Sequence, residues 1–225
     1  MSAYLRNHSV EKIFICLFMC TLCKAQTSMR FGIDGGISIA DQTFSNYPYS
    51  GAKSPLDGFV VGGIAEYDVS DPWAIEVEPR YIQDGIRVSQ ELYAGPSVVT
   101  HPDMKLELNY LEIPIHAKAK FDAGPFRPFV LAGGGVGFLL TAVADAGFNV
   151  QDRGSIFDVK SDYKSANFFA DLGAGCEYQL RQNIALVGQF GYSRGISNIN
   201  NVSGPSESTI KSSVIQILAG ILYDI

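Results

Sequence analysis

Outside its first 25 residues the sequence has no long apolar run, and none approaches the ~20 residues a membrane-spanning helix needs. It is short of charge, with 18% Asp, Glu, Lys and Arg against the ~25% usual in soluble domains. Positive charge is the scarcer sign. Lys and Arg number 17 against 23 Asp and Glu, a net of −6, and no basic run occurs. Nucleic acid is therefore excluded as a partner. No amphipathic helical period of useful length is found in residues 26–225. Yet 47% of the residues are hydrophobic and 12% aromatic, which excludes disorder. The 23 glycines follow no three-residue period, which excludes a collagen-like rod. At 225 residues the chain is one domain or two small ones. Its apolar residues must be distributed by some pattern other than long runs.

The one exception has an identifiable purpose. Arg6 and Lys12 precede the apolar stretch Ile13–Cys23, and Lys24-Ala25 follows it. A basic start, a short apolar core and a small residue before the cut form a secretory signal peptide over residues 1–25. Cys16, Cys20 and Cys23 follow bulky residues, unlike the small ones that precede an acylated cysteine. Cleavage after Ala25 removes Arg6, Lys12, Lys24 and Glu11 and leaves a net charge of −8 on residues 26–225. It also leaves Cys176 as the only cysteine, so no intramolecular disulfide can staple the exported chain.

What the exported part does contain is alternation. In residues 167–180, Phe168, Ala170, Leu172, Ala174, Cys176, Tyr178 and Leu180 make one face, and Asn167, Asp171, Glu177 and Gln179 belong to the other. The pattern predicts eight strands, over 29–39, 58–68, 73–84, 106–121, 126–140, 166–180, 183–193 and 210–225. The connections at 68–72, 122–125 and 181–183 are short and turn-rich. Those at 40–57, 85–105, 141–165 and 194–209 are long and rich in Ser, Asn, Asp, Gly and Pro. Short turns at one end and long loops at the other describe an outer-membrane barrel. An even strand number puts both termini on the periplasmic side.

Two eight-stranded barrels compete, a soluble one that is apolar inside and a membrane one that is apolar outside. One face carries Phe31, Ile33, Ile37, Phe59, Val61, Tyr67, Trp73, Ile75, Val77, Tyr81, Ile113, Ile115, Phe121, Phe126, Val130 and Phe138. The opposite face carries Arg30, Asp34, Glu66, Glu76, Glu78, Arg80, Glu112, Lys118, Arg127, Asp171 and Glu177. Facing lipid, each charge would cost several kcal/mol. Facing inward, the charges can pair. The fold class predicted is all-β, an eight-stranded antiparallel up-and-down transmembrane barrel over residues 26–225. Aromatic side chains fall near both strand ends, as an interfacial girdle requires: Tyr67, Trp73, Phe121, Phe126, Tyr178 and Tyr223 at one, Phe59, Tyr81, Phe138, Phe168 and Tyr192 at the other.

Four segments carry a family resemblance. Asn109-Tyr110-Leu111-Glu112-Ile113-Pro114-Ile115 with Lys118-Ala119-Lys120-Phe121 resembles a strand of the PorT-like small outer-membrane barrel proteins. The segments 126–135, 169–177 and 190–199 are similar to later strands of that family. The resemblance implies the same barrel and an outer-membrane location. It implies little about activity, although one relative serves a secretion apparatus. The end Gly220-Ile221-Leu222-Tyr223-Asp224-Ile225 resembles the signal read by the barrel-assembly machinery, with Gly220, Tyr223 and Ile225 at its key positions. Ile225 stands where an aromatic residue is usual, and Leu218 where a polar one is.

Chemistry is sparse. His116 faces inward, four residues from Glu112 and two from Lys118, and is read as part of a structural network. His101 has no His or Cys companion for a metal site. Asp152, Asp158 and Asp162 lack the spacing of a calcium loop, although a loosely bound divalent ion is an alternative there. Gly133–Gly137 lacks the Lys-Ser/Thr of a phosphate loop. No catalytic residue, cofactor or metal ligand is assigned. The candidate site is the lumen charge set Glu76, Glu78, Arg80, Glu112, Lys118, Asp171 and Glu177. An eight-stranded interior is just filled by side chains, so a paired network would plug it. The expected function is a non-enzymatic envelope protein working through its outer loops, with outer-membrane lipid and the assembly machinery as partners. The alternatives are a narrow porin-like channel, a component of a secretion apparatus, and a lipid-active barrel enzyme.

Overall fold

The computed structural model describes residues 28–45, 52–89, 92–93, 99–100, 103–147, 155–202 and 208–225. The signal peptide expected over 1–25 lies outside them, as do His101 and Asp152. Eight strands form the wall: β1 (Met29–Ser45), β2 (Leu56–Ser70), β3 (two segments, Trp73–Val77 and Arg80–Ser89), β4 (Asp103–Lys120), β5 (Phe126–Gly147), β6 (Ala166–Arg181), β7 (Ile184–Gly195) and β8 (Thr209–Asp224). Each pairs antiparallel with the next, and β8 returns to β1 from Arg30↔Asp224 to Ser45↔Thr209. The sheet is thus a closed cylinder with no free edge across its trunk.

The short connections are tight. In the β4–β5 turn Gly124 has φ +71°, and the Ala123 N–H donates to the Phe126 carbonyl at 2.9 Å. A side chain there would be strained by the left-handed backbone. The Ile225 N–H donates to the Met29 carbonyl at 3.1 Å, so both ends of the described chain lie at this short-turn end. In β3 the ladder is interrupted at Glu78-Pro79, opposite Pro114 of β4, where two residues lacking an N–H face each other's strands. The Glu78 N–H still reaches the Pro114 carbonyl at 3.3 Å, and the alternation survives, with Glu76, Glu78 and Arg80 all buried.

The strands at the other end run further than the sequence suggests. β1, β3, β4 and β5 continue into the stretches expected as loops. Beyond the rim, Ala52–Ser54 pairs with β3, and Ser155–Asp158 pairs with β5, extending part of the wall into an open sheet. The reason is visible in β4. Going up from the short-turn end, its outward residues are Ile115, Ile113 and Leu111, then Asn109, Glu107 and Lys105. Its inward residues are Lys118, His116 and Glu112, then Tyr110, Leu108 and Leu106. Both faces exchange polarity at the same level, next to a register shift at Asn109/Tyr110.

The same exchange occurs around the cylinder. Outward residues turn polar above Ile37 and Ile39 at Asp41 and Thr43, above Tyr81 at Gln83 and Arg87, and above Leu140 at Thr141 and Asp145. Inside, above the charges, lies a dry cluster including Ala40, Val60, Ile82, Ile86, Val88, Leu106, Leu108, Tyr110, Leu139 and Ile210, with Val159 and Tyr163 packed on it. The trunk is therefore built as a membrane barrel, and its upper part as a soluble one. Along the trunk the outward side chains are apolar and open, Ile33 at 70%, Leu172 at 62% and Ile115 at 55% exposure. A soluble monomer rarely exposes such a continuous surface; lipid covers it here. The expected girdle residues point outward from both trunk ends, with Phe126 stacked near Tyr178 (centroids 4.9 Å) and Phe59 near Tyr81 (5.3 Å).

Candidate functional site

Five strands direct charged side chains into the trunk. β1 supplies Arg30, β2 Glu66, β3 Glu76, Glu78 and Arg80, β4 Glu112, His116 and Lys118, and β6 Asp171 and Glu177. All are nearly fully buried. Register makes the pairs: Arg30 lies opposite Glu66, Glu76 opposite His116, and Arg80 opposite Glu112. Alternation turns every member inward.

The network has two centres. In the first, Lys118 Nζ lies 2.7 Å from Glu66 Oε2, 2.9 Å from Glu76 Oε2 and 2.9 Å from Glu177 Oε1. Arg30 donates to Glu177 Oε2 at 2.6 Å and Oε1 at 3.1 Å, and forks onto Glu66. In the second, Arg80 donates to Glu112 Oε2 at 2.9 Å and Asp171 Oδ2 at 3.1 Å, with Glu78 Oε1 3.5 Å away. His116 bridges them, its Nδ1 3.4 Å from Glu76 Oε1 and its Nε2 3.1 Å from Asp171 Oδ2. Charge-assisted bonds of this kind are strong, and each carboxylate needs a cation because the site is buried. The Lys118 ammonium also lies 4.1 Å from the Phe129 ring centroid, joining the charges to a smaller apolar cluster of Ile64, Leu131, Ala185, Val187 and Leu222.

The structure brings all seven expected residues, Glu76, Glu78, Arg80, Glu112, Lys118, Asp171 and Glu177, into one lumen. It adds Arg30 and Glu66, which sequence reasoning placed on the inward face but not in the network, and it gives His116, read from the sequence as part of a structural network, its bridging role. Strand register was the missing signal. Arg127, expected on the inward face with the others, shares that face through its register with Glu177 but sits at the short-turn rim, with its Nε 2.8 Å from Asp122 Oδ1. One residue from its strand's end, its long side chain reaches water and the turn carboxylate more cheaply than the lumen. Asp158 accepts a hydrogen bond from the Lys160 N–H at 2.9 Å and so caps a short turn, and Cys176 is free and outward on β6. Of the residues expected as an assembly signal, Gly220 lies at the β8–β1 seam opposite Asp34, where a Cβ would run into β1. Tyr223 and Ile225 are exposed, at 48% and 80%.

Not every lumen oxygen is satisfied. Both carboxylate oxygens of Glu78, Asp34 Oδ1 and Asp171 Oδ1 have no hydrogen-bond partner. Glu76, Glu78 and His116 bring three donor atoms within 4.8 Å of one another, the only such grouping among the described residues. Beside Arg80, His116 and Asp171 a residual space of about 10 Å³ remains, room for about one water. A wider, apolar recess of about 90 Å³ opens at the long-loop end between Phe44, Ile86, Val88, Met104, Leu106 and Ile210.

A closed antiparallel cylinder, apolar without and charged within, defines an integral outer-membrane β-barrel protein. The chain belongs to the outer membrane protein beta-barrel domain family, whose model matches residues 24–201. Similar solved structures include Neisserial surface protein A, 18% identical, covering 88% of this chain and 99% of that one, with TM-score 0.48. OprG from Pseudomonas aeruginosa is 13% identical, with coverage of 88% and 97% and TM-score 0.47. The outer membrane protease OmpT from Escherichia coli is 11% identical, with coverage of 88% and 97% and TM-score 0.48. At such identities and TM-scores the likeness carries nothing about activity. No curated protein matches the chain.

Proposed function

We propose that this is a closed, non-enzymatic barrel that holds an interaction surface above the outer membrane. The observation that carries this reading is the filled lumen. Paired charges occupy the trunk, and an apolar cluster occupies the part above it. The long-loop end faces the cell exterior and both termini the periplasm, as the short turns imply. Ser155–Asp158 is the outermost strand of the extended sheet, with Ile156 and Phe157 exposed at 71% and 53%. Such an edge suits strand addition by another envelope protein. The motif 109–121 supports placing the chain with the PorT-like proteins, among which a secretion component is one precedent. Gly220, Tyr223 and Ile225 are proposed as the assembly signal. Purified protein in planar bilayers tests the closed lumen. Only baseline current is expected; stable, wide openings would establish the rival porin-like channel. Unchanged lipid composition in cells with and without the protein is expected, and altered lipid would favour the enzyme.

A further inference from the structure

We propose that Glu76, Glu78 and His116 form a lumenal site for one divalent transition-metal ion of the zinc class. Three independent features of the trunk lead there.

The first is charge. Eight buried carboxylates, those of Asp34, Glu66, Glu76, Glu78, Asp84, Glu112, Asp171 and Glu177, share three buried Arg and Lys side chains, one histidine and, at Glu66, the part-buried Lys120. Arg30 and Lys118 are spent on Glu66, Glu76 and Glu177, and Arg80 on Glu112 and Asp171. A dry interior with this acid excess calls for further positive charge.

The second is Glu78. Its side chain is 1% exposed, yet neither oxygen accepts a hydrogen bond, and Arg80 stands off at 3.5 Å. A buried carboxylate without donors is costly, and a bound cation is its natural partner.

The third is the donor geometry. Two ligands about 2.0 Å from a tetrahedral ion lie about 3.3 Å apart. His116 Nδ1 and Glu76 Oε1 are 3.4 Å apart, and a Glu78 oxygen completes the group within 4.8 Å. The surroundings orient the same atoms. Lys118 holds Glu76 Oε2 at 2.9 Å and leaves Oε1 turned toward His116 Nδ1. Asp171 Oδ2 lies 3.1 Å from His116 Nε2, and the tautomer that donates Nε2–H to it presents Nδ1 as the lone-pair donor. A carboxylate behind a ligating histidine is the usual support of such sites. One imidazole with two carboxylates favours zinc and its neighbours over calcium or magnesium, which take all-oxygen shells. The ladder break at Glu78-Pro79 and Pro114 lies in the adjoining wall. The site is independent of whatever binds above the rim, and the lumen stays closed with the ion in place.

The test uses protein extracted from outer membranes in detergent, refolded with zinc chloride, dialysed, and assayed for metal by mass spectrometry. About one zinc per chain is expected. Glu78→Gln and His116→Gln should each lower it at least tenfold, while Glu107→Gln, in the upper wall, should keep it. Heat-modifiable gel migration reports folding of every variant. Cobalt substitution of the wild type gives a second readout, visible d–d bands of nitrogen and oxygen ligation. Folded wild type with no stoichiometric zinc and no such bands would overturn the proposal. So would zinc retained in both variants, which would mark an adventitious ion only.

Discussion

At the scale of single residues, the lumen is a set of mutual dependencies. Lys118 is the clearest, since one ammonium serves Glu66, Glu76 and Glu177. Lys118→Met keeps the stem but strips Glu76 of its only Lys or Arg partner and Glu66 and Glu177 of one of theirs. It should destabilise the barrel by about 3–5 kcal/mol, read from urea unfolding in lipid vesicles. An unchanged midpoint would mean that water already reaches these groups. Much of this was legible from alternation alone, which turned Glu76, Arg80, Glu112, Lys118, Asp171 and Glu177 inward. Alternation says which face a residue occupies but not its height. That is why Arg30 and Glu66 were left out of the network. Height comes from strand register, which depends on partners far away in sequence.

At the scale of the strand, the informative feature is the exchange of faces. β4 runs from a lipid-facing to a water-facing exterior within one continuous ladder. Ile115→Arg places a charge in the apolar band and should cost about 2–4 kcal/mol in folding equilibria in vesicles. Ser45→Arg, above the exchange on β1 and opposite Thr209, should change stability by less than about 0.5 kcal/mol. Equal costs at the two positions would remove the boundary from where the side chains place it. The exchange also explains where sequence reading stopped. The strand ends set at Ile39, Asp84 and Leu140 fall close to where the apolar exterior gives way to Asp41, Arg87 and Asp145. Past those points the period of two persists with opposite polarity. Polar residues that alternate in a strand look like loop until the buried partners, such as Leu106 and Leu108 beside Ala142 and Ala144, are seen to pack together.

At the scale of the whole molecule, two kinds of barrel are stacked on one set of strands. The choice between a soluble and a membrane barrel, posed by the sequence as exclusive, resolves by height. The trunk is apolar outside and salt-bridged inside; the part above is polar outside and dry inside. Closure of the wall and the edge strand above the rim belong to that arrangement, and the closed lumen proposed above is its expected consequence. Its most direct test is a depth profile along β4. A fluorophore is attached to single cysteines at Ile115, Ile113, Leu111, Asn109, Glu107 and Lys105, in a chain otherwise free of cysteine. Quenching is then compared between a lipid-borne and an aqueous quencher. Lipid quenching is expected through Leu111, and aqueous quenching from Asn109 upward. Lipid quenching that continues to Lys105, or aqueous quenching at Ile113 and Ile115, would contradict it.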